Sequence, residues 1–138
     1  MNYLLDVNVL VAWGWSDHAD HHRAAAWIGE MMAKRGVTLA TAAIPELGFI
    51  RVSVQRTGGL LSVGEAANTL SGMLGSLGES HAFLSDDQPS CGDWPVWCSS
   101  ASRTTDAHLL ALAENHGLRL ATLDEAVPGA FLIPKVTV

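Results

Sequence analysis

Short apolar runs that stop at a polar residue alternate along this chain with longer stretches in which apolar side chains recur every three or four positions. Residues 2–7 (NYLLDV) predict a short buried strand, and residues 8–15 (NVLVAWGW) a helix that starts at once. Ala24, Ala25, Ile28, Met31 and Met32 fall at helical spacing and predict a helix over 18–35, with Gly36 as its stop. Residues 37–41 (VTLAT) predict a second strand. Pro45 suits the first turn of a helix that runs through Leu47, Ile50, Arg51 and Val54 and ends before Gly58 and Gly59. Ser62 and Glu65 form a capping box ahead of a helix that buries Ala66, Leu70, Met73, Leu74 and Leu77.

Residues 81–84 predict another short strand. The polar segment 85–103, punctuated by Pro89, Gly92 and Pro95, predicts a loop. Thr104 or Thr105 caps a helix with Asp106 in its first turn, an apolar stripe of Leu109, Leu110 and Ala113, and Gly117 at its end. Residues 118–123 predict a strand stopping at Asp124, and 131–133 a last short one. Strands alternating with helices argue for a mostly parallel sheet of four to five strands covered on both faces, a three-layer α/β/α architecture.

The chain has 138 residues, which fits one domain over 1–138 with a proper core. Hydrophobic residues make up 49% and charged residues 16%, a globular composition. The net charge of −6 argues against a protein that coats nucleic acid passively. The start lacks the pattern of a signal peptide, and no run reaches the roughly 18 apolar residues of a membrane span, so a cytoplasmic location is expected. Cys91 and Cys98 are then expected as free thiols, and two cysteines are too few for a zinc site.

Four carboxylates carry the chemistry. Asp6 and Asp124 stand at the carboxyl ends of predicted strands, while Glu46 and Asp106 stand in the first turns of predicted helices. In an open α/β sheet both kinds of position fall on the same edge, where ligands bind. Two carboxylates ~5 Å apart at an effective dielectric of ~20 repel by roughly 3 kcal/mol. Six such pairs exceed the ~5–15 kcal/mol stability of a domain. Hard divalent cations relieve that repulsion, and an all-oxygen donor set suits Mg²⁺ or Mn²⁺. The natural reaction is hydrolysis of a phosphodiester by metal-activated water. No glycine-rich phosphate loop, GxSxG elbow or HExxH helix is present.

The stretches Leu4-Leu5-Asp6-Val7-Asn8-Val9-Leu10, Pro45-Glu46-Leu47-Gly48-Phe49-Ile50-Arg51-Val52, Thr105-Asp106-Ala107-His108-Leu109-Leu110-Ala111-Leu112-Ala113 and Leu120-Ala121-Thr122-Leu123-Asp124 resemble the PIN-domain family. Within it they are most similar to the VapC toxins of bacterial toxin–antitoxin pairs. The resemblance spans nearly the whole chain and implies a PIN-like fold and an endoribonuclease that uses Mg²⁺ or Mn²⁺. It also implies a homodimer and a VapB-like antitoxin, with DNA touched only through that partner. By position, Asp6, Glu46, Asp106 and Asp124 match the family's acidic site. Asn8 and Thr122 match its supporting polar residues. The segment 85–103, with its two cysteines and two tryptophans, departs from the family pattern.

Arg51 and Arg56, on the helix that starts with Glu46, are candidates for phosphate contact. Glu125 stands as a substitute for Asp124. Asp17, Asp20, Glu30, Glu65, Glu79, Asp86, Asp87 and Glu114 read as solvated surface. His18, His21 and His22 fall at i, i+3 and i+4 of one predicted helix, a spacing that a polar face explains better than a metal site. His108 reads as structural. A receiver-type phosphoacceptor wants paired acids early and a lysine after the last strand, but Asp6 has no acidic neighbour and Lys135 lies at the chain's end. A haloacid-type phosphatase wants Asp-x-Asp, where this chain has Asn8. The remaining alternative is a non-catalytic PIN-like binding module that acts only through a protein partner.

Overall fold

The computed structural model describes residues 1–136. Its elements run β1 (Tyr3–Leu5), α1 (Val7–Gly14), α2 (His21–Met32), β2 (Leu39–Ala42), α3 (Ala43–Arg56), α4 (Val63–Leu77), β3 (His81–Leu84), α5 (Thr104–Asn115), β4 (Arg119–Thr122) and β5 (Phe131–Leu132). The five strands form one sheet in the order β3-β2-β1-β4-β5, and every pairing is parallel. The expected three-layer α/β/α fold is present.

Side-chain alternation along the strands builds the layers. Tyr3, Leu5, Leu39 and Ala121 join Leu10, Trp27, Ile28, Phe49, Leu70 and Leu77 in one core, so α1 to α4 cover that face. Leu4, Ala40, Ala42 and Leu120 join Leu109, Leu112 and Ala113 in a second core under α5. Runs such as Tyr3-Leu4-Leu5, buried at every position, are what a sheet covered on both faces demands.

The chain builds β1, β2 and β3 outward in one direction, then crosses back to add β4 and β5 on the other side of β1. The topological switch therefore lies between β1 and β4, the place where open α/β sheets open a crevice at their carboxyl edge. Gly48 lets the first turns of α3 approach α1: a Cβ there would stand 2.7 Å from Val7 Cγ2. That close approach brings the helix of Glu46 to the helix that begins beside Asp6.

Several boundaries move from their expected places. Strand 2–7 shrinks to Tyr3–Leu5 because Asp6 turns to cap α1, its side chain accepting from the Val7 N–H at 2.7 Å. Helix 18–35 contracts to His21–Met32. His18 thus lies in the preceding turn, where its Nδ1 accepts from the Asp20 N–H at 3.0 Å, and His21 turns to the Ala12 carbonyl at 2.9 Å. The three histidines share no helix face. The capping box of Ser62 and Glu65 forms as read, with both reciprocal bonds at 3.0 Å. Neither Thr104 nor Thr105 caps α5; the N-cap is Arg103, at the end of a 3₁₀ turn over Ala101–Arg103. Thr104 instead donates to the Ala101 carbonyl at 2.8 Å.

Candidate active site

Asp6 is held from two elements, α1 and β4. Its own N–H donates to the Ala121 carbonyl at 3.0 Å, which extends the β1–β4 ladder by one link and places the side chain at the switch point. Its Oδ1 caps α1, and its Oδ2 accepts from the Thr122 hydroxyl at 2.8 Å. Thr122 closes β4 and is fully buried, so its hydroxyl accepts in turn from Asn8 Nδ2 at 3.0 Å and from the Asp124 N–H at 3.1 Å. Asn8 Oδ1 accepts from the Leu123 N–H at 3.1 Å, which fixes the orientation of its amide. Asn8 and Thr122 thus bind the strand end carrying Asp6 to the turn carrying Asp124. Asp124 follows β4 by two residues, and its Oδ1 accepts from the Ala126 N–H at 2.9 Å.

The third aspartate arrives from α5. Asp106 lies in the first turn of that helix, and Arg103, one turn before it, donates to the Ala126 carbonyl. One arginine therefore ties the start of α5 to the segment just after Asp124. The Arg103 guanidinium also lies over the Trp97 ring, 5.3 Å from its centroid. Arg103 was not singled out from the sequence; it closes the 3₁₀ turn that leads into α5, three positions before Asp106.

Electrostatics show which acids converge. Burial, with the charges of Asp106 and Asp124 adding to it, lifts the Asp6 carboxyl from 3.8 to about 6 against the Thr122 and Val7 hydrogen bonds. Burial also raises the Asp106 carboxyl, with Asp124 adding to the rise and Arg103 opposing it. Asp6, Asp106 and Asp124 are thus one mutually repelling group. Val7, Asn8, His18, Arg51, Val52 and Thr105 line the same open cleft as Asp6 and Asp106.

Glu46 stands in the first turn of α3, directly after β2 and on the same edge of the sheet, but its partners differ. Its Oε2 accepts from the Thr41 hydroxyl at 2.6 Å, and Thr41 Oγ1 lies 2.7 Å from His81 Nε2. Neither Thr41 nor His81 was singled out from the sequence. A signal existed: Leu39-Ala40-Thr41 on β2 repeats as Leu120-Ala121-Thr122 on β4.

The two arginines separate. Arg51 reaches the cleft of the aspartates, whereas Arg56 pairs with Asp17 at 2.9 Å and lies 4.8 Å from the centroid of the Trp15 ring. Glu125 is exposed beside Asp124. Asp86 and Asp87 are not free surface acids: they meet His108 and His116 of α5 and its end at 2.6 and 2.7 Å. Together with the Gln88–Asn115 bond at 2.6 Å they staple the start of loop 85–103 along α5. Cys91 and Cys98 are both free thiols.

The donor set fits a hard divalent cation, since it consists of carboxylates whose burial, with their neighbours' charge adding to it, raises their proton affinity. Among the described residues no three histidine, cysteine, aspartate or glutamate side chains converge closely enough to hold an ion as they stand.

The family model of the PIN domain matches residues 3–128. Ribonuclease VapC44 of Mycobacterium tuberculosis is 40% identical over 139 residues, covering 94% of this chain and 94% of that protein. Ribonuclease VapC39 of the same organism is 38% identical, covering 92% of this chain and 91% of that protein. The solved structure of PAE2754 from Pyrobaculum aerophilum superposes with a TM-score of 0.50 at 19% identity, over 96% of this chain and 90% of that one, a likeness of fold. With its acids gathered at the switch point of a parallel sheet and its relatives named as VapC ribonucleases, the chain belongs to the PIN-domain family.

Proposed function

We propose that this chain is an endoribonuclease of the VapC kind. In this reading the 138 residues act as one PIN-like domain, and Mg²⁺ or Mn²⁺ is held by Asp6, Asp106 and Asp124 with Glu46 beside them. The observation that carries the reading is the buried Asp6 carboxyl, raised to about 6 chiefly by burial, with the charges of two further aspartates adding to the rise. Such an arrangement is poor for stability and suited to a cation.

When bound, the cation supplies Lewis-acid stabilisation of phosphoryl charge and a more acidic water. The chain's own groups do the positioning. The Val7 N–H and Thr122 hydroxyl aim the two oxygens of Asp6. Asn8 holds Thr122 and the turn before Asp124 together. Arg51, on the rim of the same cleft, is placed to take a non-bridging phosphate oxygen of RNA, as the only arginine of the pair Arg51 and Arg56 that reaches it.

The names of the relatives support an RNA substrate, and with it a VapB-like antitoxin as partner. A homodimer is consistent with exposed apolar side chains at Leu47, Leu60 and Val63 on and between α3 and α4. No helix among the described residues is long and apolar enough to cross a membrane. We place the chain in the cytoplasm with its RNA substrate.

The test is RNA cleavage by the purified chain, freed of any partner, at millimolar Mg²⁺ or Mn²⁺. Cleavage that chelation stops and Asp6→Asn abolishes supports the reading. An intact, folded chain that cuts no RNA would favour the non-catalytic binding module.

A further inference from the structure

Thr41 is completely buried, and its hydroxyl has two polar neighbours at short range: Glu46 Oε2 at 2.6 Å and His81 Nε2 at 2.7 Å. A hydroxyl has one proton to give, and a carboxylate can only accept. The Thr41 proton therefore goes to Glu46. The oxygen of Thr41 must then accept, so His81 carries its proton on Nε2. The three side chains come from β2, α3 and β3, adjacent elements at one side of the acid-bearing edge.

We propose that His81 is a positioning residue for Glu46, acting through the Thr41 hydroxyl along the chain His81 Nε2–H to Thr41 Oγ1–H to Glu46 Oε2. The relay fixes which oxygen of Glu46 the protein holds and leaves Oε1 to a ligand. It rests on the proposed function, in which Glu46 stands beside the cation. Groups that hydrogen-bond a ligating carboxylate set its aim, and losing one weakens metal binding or activity by about 10- to 100-fold. The same logic holds on the other side of β1, where Thr122 aims Asp6.

Two measurements test the relay. In the metal-free chain, long-range nitrogen–proton NMR of His81 reports its tautomer, and the expected result is a proton on Nε2. A neutral ring protonated on Nδ1 alone would overturn the relay, whatever the enzyme does. Calorimetric titration with Mn²⁺ then compares the wild type with His81→Ala, His81→Gln, Thr41→Val and Thr41→Ser. Binding about 10- to 100-fold weaker is expected for His81→Ala and Thr41→Val, with recovery in Thr41→Ser and His81→Gln, which keep a hydroxyl and an N–H donor. Melting temperatures of the four variants separate this pattern from general loss of fold. His81→Ala binding Mn²⁺ as tightly as the wild type would overturn the proposal. Tighter binding would mean that Thr41 and His81 hold Glu46 back, and would overturn it as well. A wild-type chain that binds no Mn²⁺ would sink the proposed function and the positioning role with it, while the tautomer reports on the relay alone.

Discussion

On either side of β1 a buried threonine near a strand end donates to a carboxylate, Thr122 of β4 to Asp6 at 2.8 Å and Thr41 of β2 to Glu46 at 2.6 Å. The surroundings of the two acids differ. Asp6 is 3% exposed and faces the charges of Asp106 and Asp124, whereas Glu46 is half-buried and its relay leads to a neutral or cationic imidazole. Burial pushes the His81 imidazole below its usual value, against the pull of the Glu46 charge. One side of the sheet switch thus concentrates negative charge, and the other holds a single acid among donors. The mutual repulsion of carboxylates therefore lies on the β1–β4 side.

Removing the carboxylate at the centre of the charged side should have the largest effect. Asp6→Asn is expected to lower RNA cleavage by more than the about 100-fold that loss of a supporting partner causes. The same variant should raise the stability of the metal-free chain, because Asn caps a helix as well as Asp does. The sign follows from linkage: the folded chain binds the Asp6 proton more tightly than the unfolded one. Stability associated with this group is full below 3.8 and declines as pH rises through about 6. The span corresponds to about 3 kcal/mol. Asp106 shifts in the same direction and adds to the decline. Urea unfolding of the metal-free chain between pH 4 and 7, an interval of about 3 units around the shift, should show that slope. Asp6→Asn should flatten it. A wild-type chain equally stable across that interval would remove the electrostatic half of the comparison.

Thr122→Val comes next. It takes away the Asp6 donor and leaves Asn8 Nδ2 and the Asp124 N–H short of an acceptor. A loss of about 10- to 100-fold in cleavage is expected, with an Asp6 carboxyl pushed still higher because the bond that lowered it is gone. Carboxyl NMR of the variant reads the second effect.

Arg103→Ala should act more mildly. It unties the start of α5 from the Ala126 carbonyl and removes the cation that opposes the rise of Asp106. Weaker cation binding and a lower melting temperature are expected together, and the lysine variant should restore the charge but not the stacking on Trp97. The smallest effect belongs to Arg56→Ala. Its exposed pair with Asp17 contributes about 0–1 kcal/mol, and kcat should not change. A large loss of activity in Arg56→Ala, with Arg51→Ala harmless, would reverse the assignment of the phosphate contact.

Much of the architecture was legible because apolar runs and helical stripes are local. The strand over 81–84 and the capping box of Ser62 and Glu65 stand as read. Boundaries failed where a side chain outweighed a pattern, as when Asp6 stops β1 early to cap α1. The edge on which Asp6, Glu46, Asp106 and Asp124 stand followed from topology alone. What each acid meets there did not: His81 reaches Thr41 across 40 residues, Arg103 acts through a backbone carbonyl, and the repeated Leu-Ala-Thr marks the threonines without naming their partners. The staple of Asp86 and Asp87 to α5 was missed for the same reason: aspartates in a polar loop read as solvated until a histidine is found opposite.

The account depends most on the state of one buried side chain. Carboxyl NMR titration of Asp6, first without divalent cations and then at millimolar Mg²⁺, measures it directly. The predicted midpoint is about 6 in the metal-free chain, falling when Mg²⁺ is added. A midpoint near the ordinary 3.8 that Mg²⁺ does not move would contradict the buried, charge-crowded setting of Asp6 and with it the cation site.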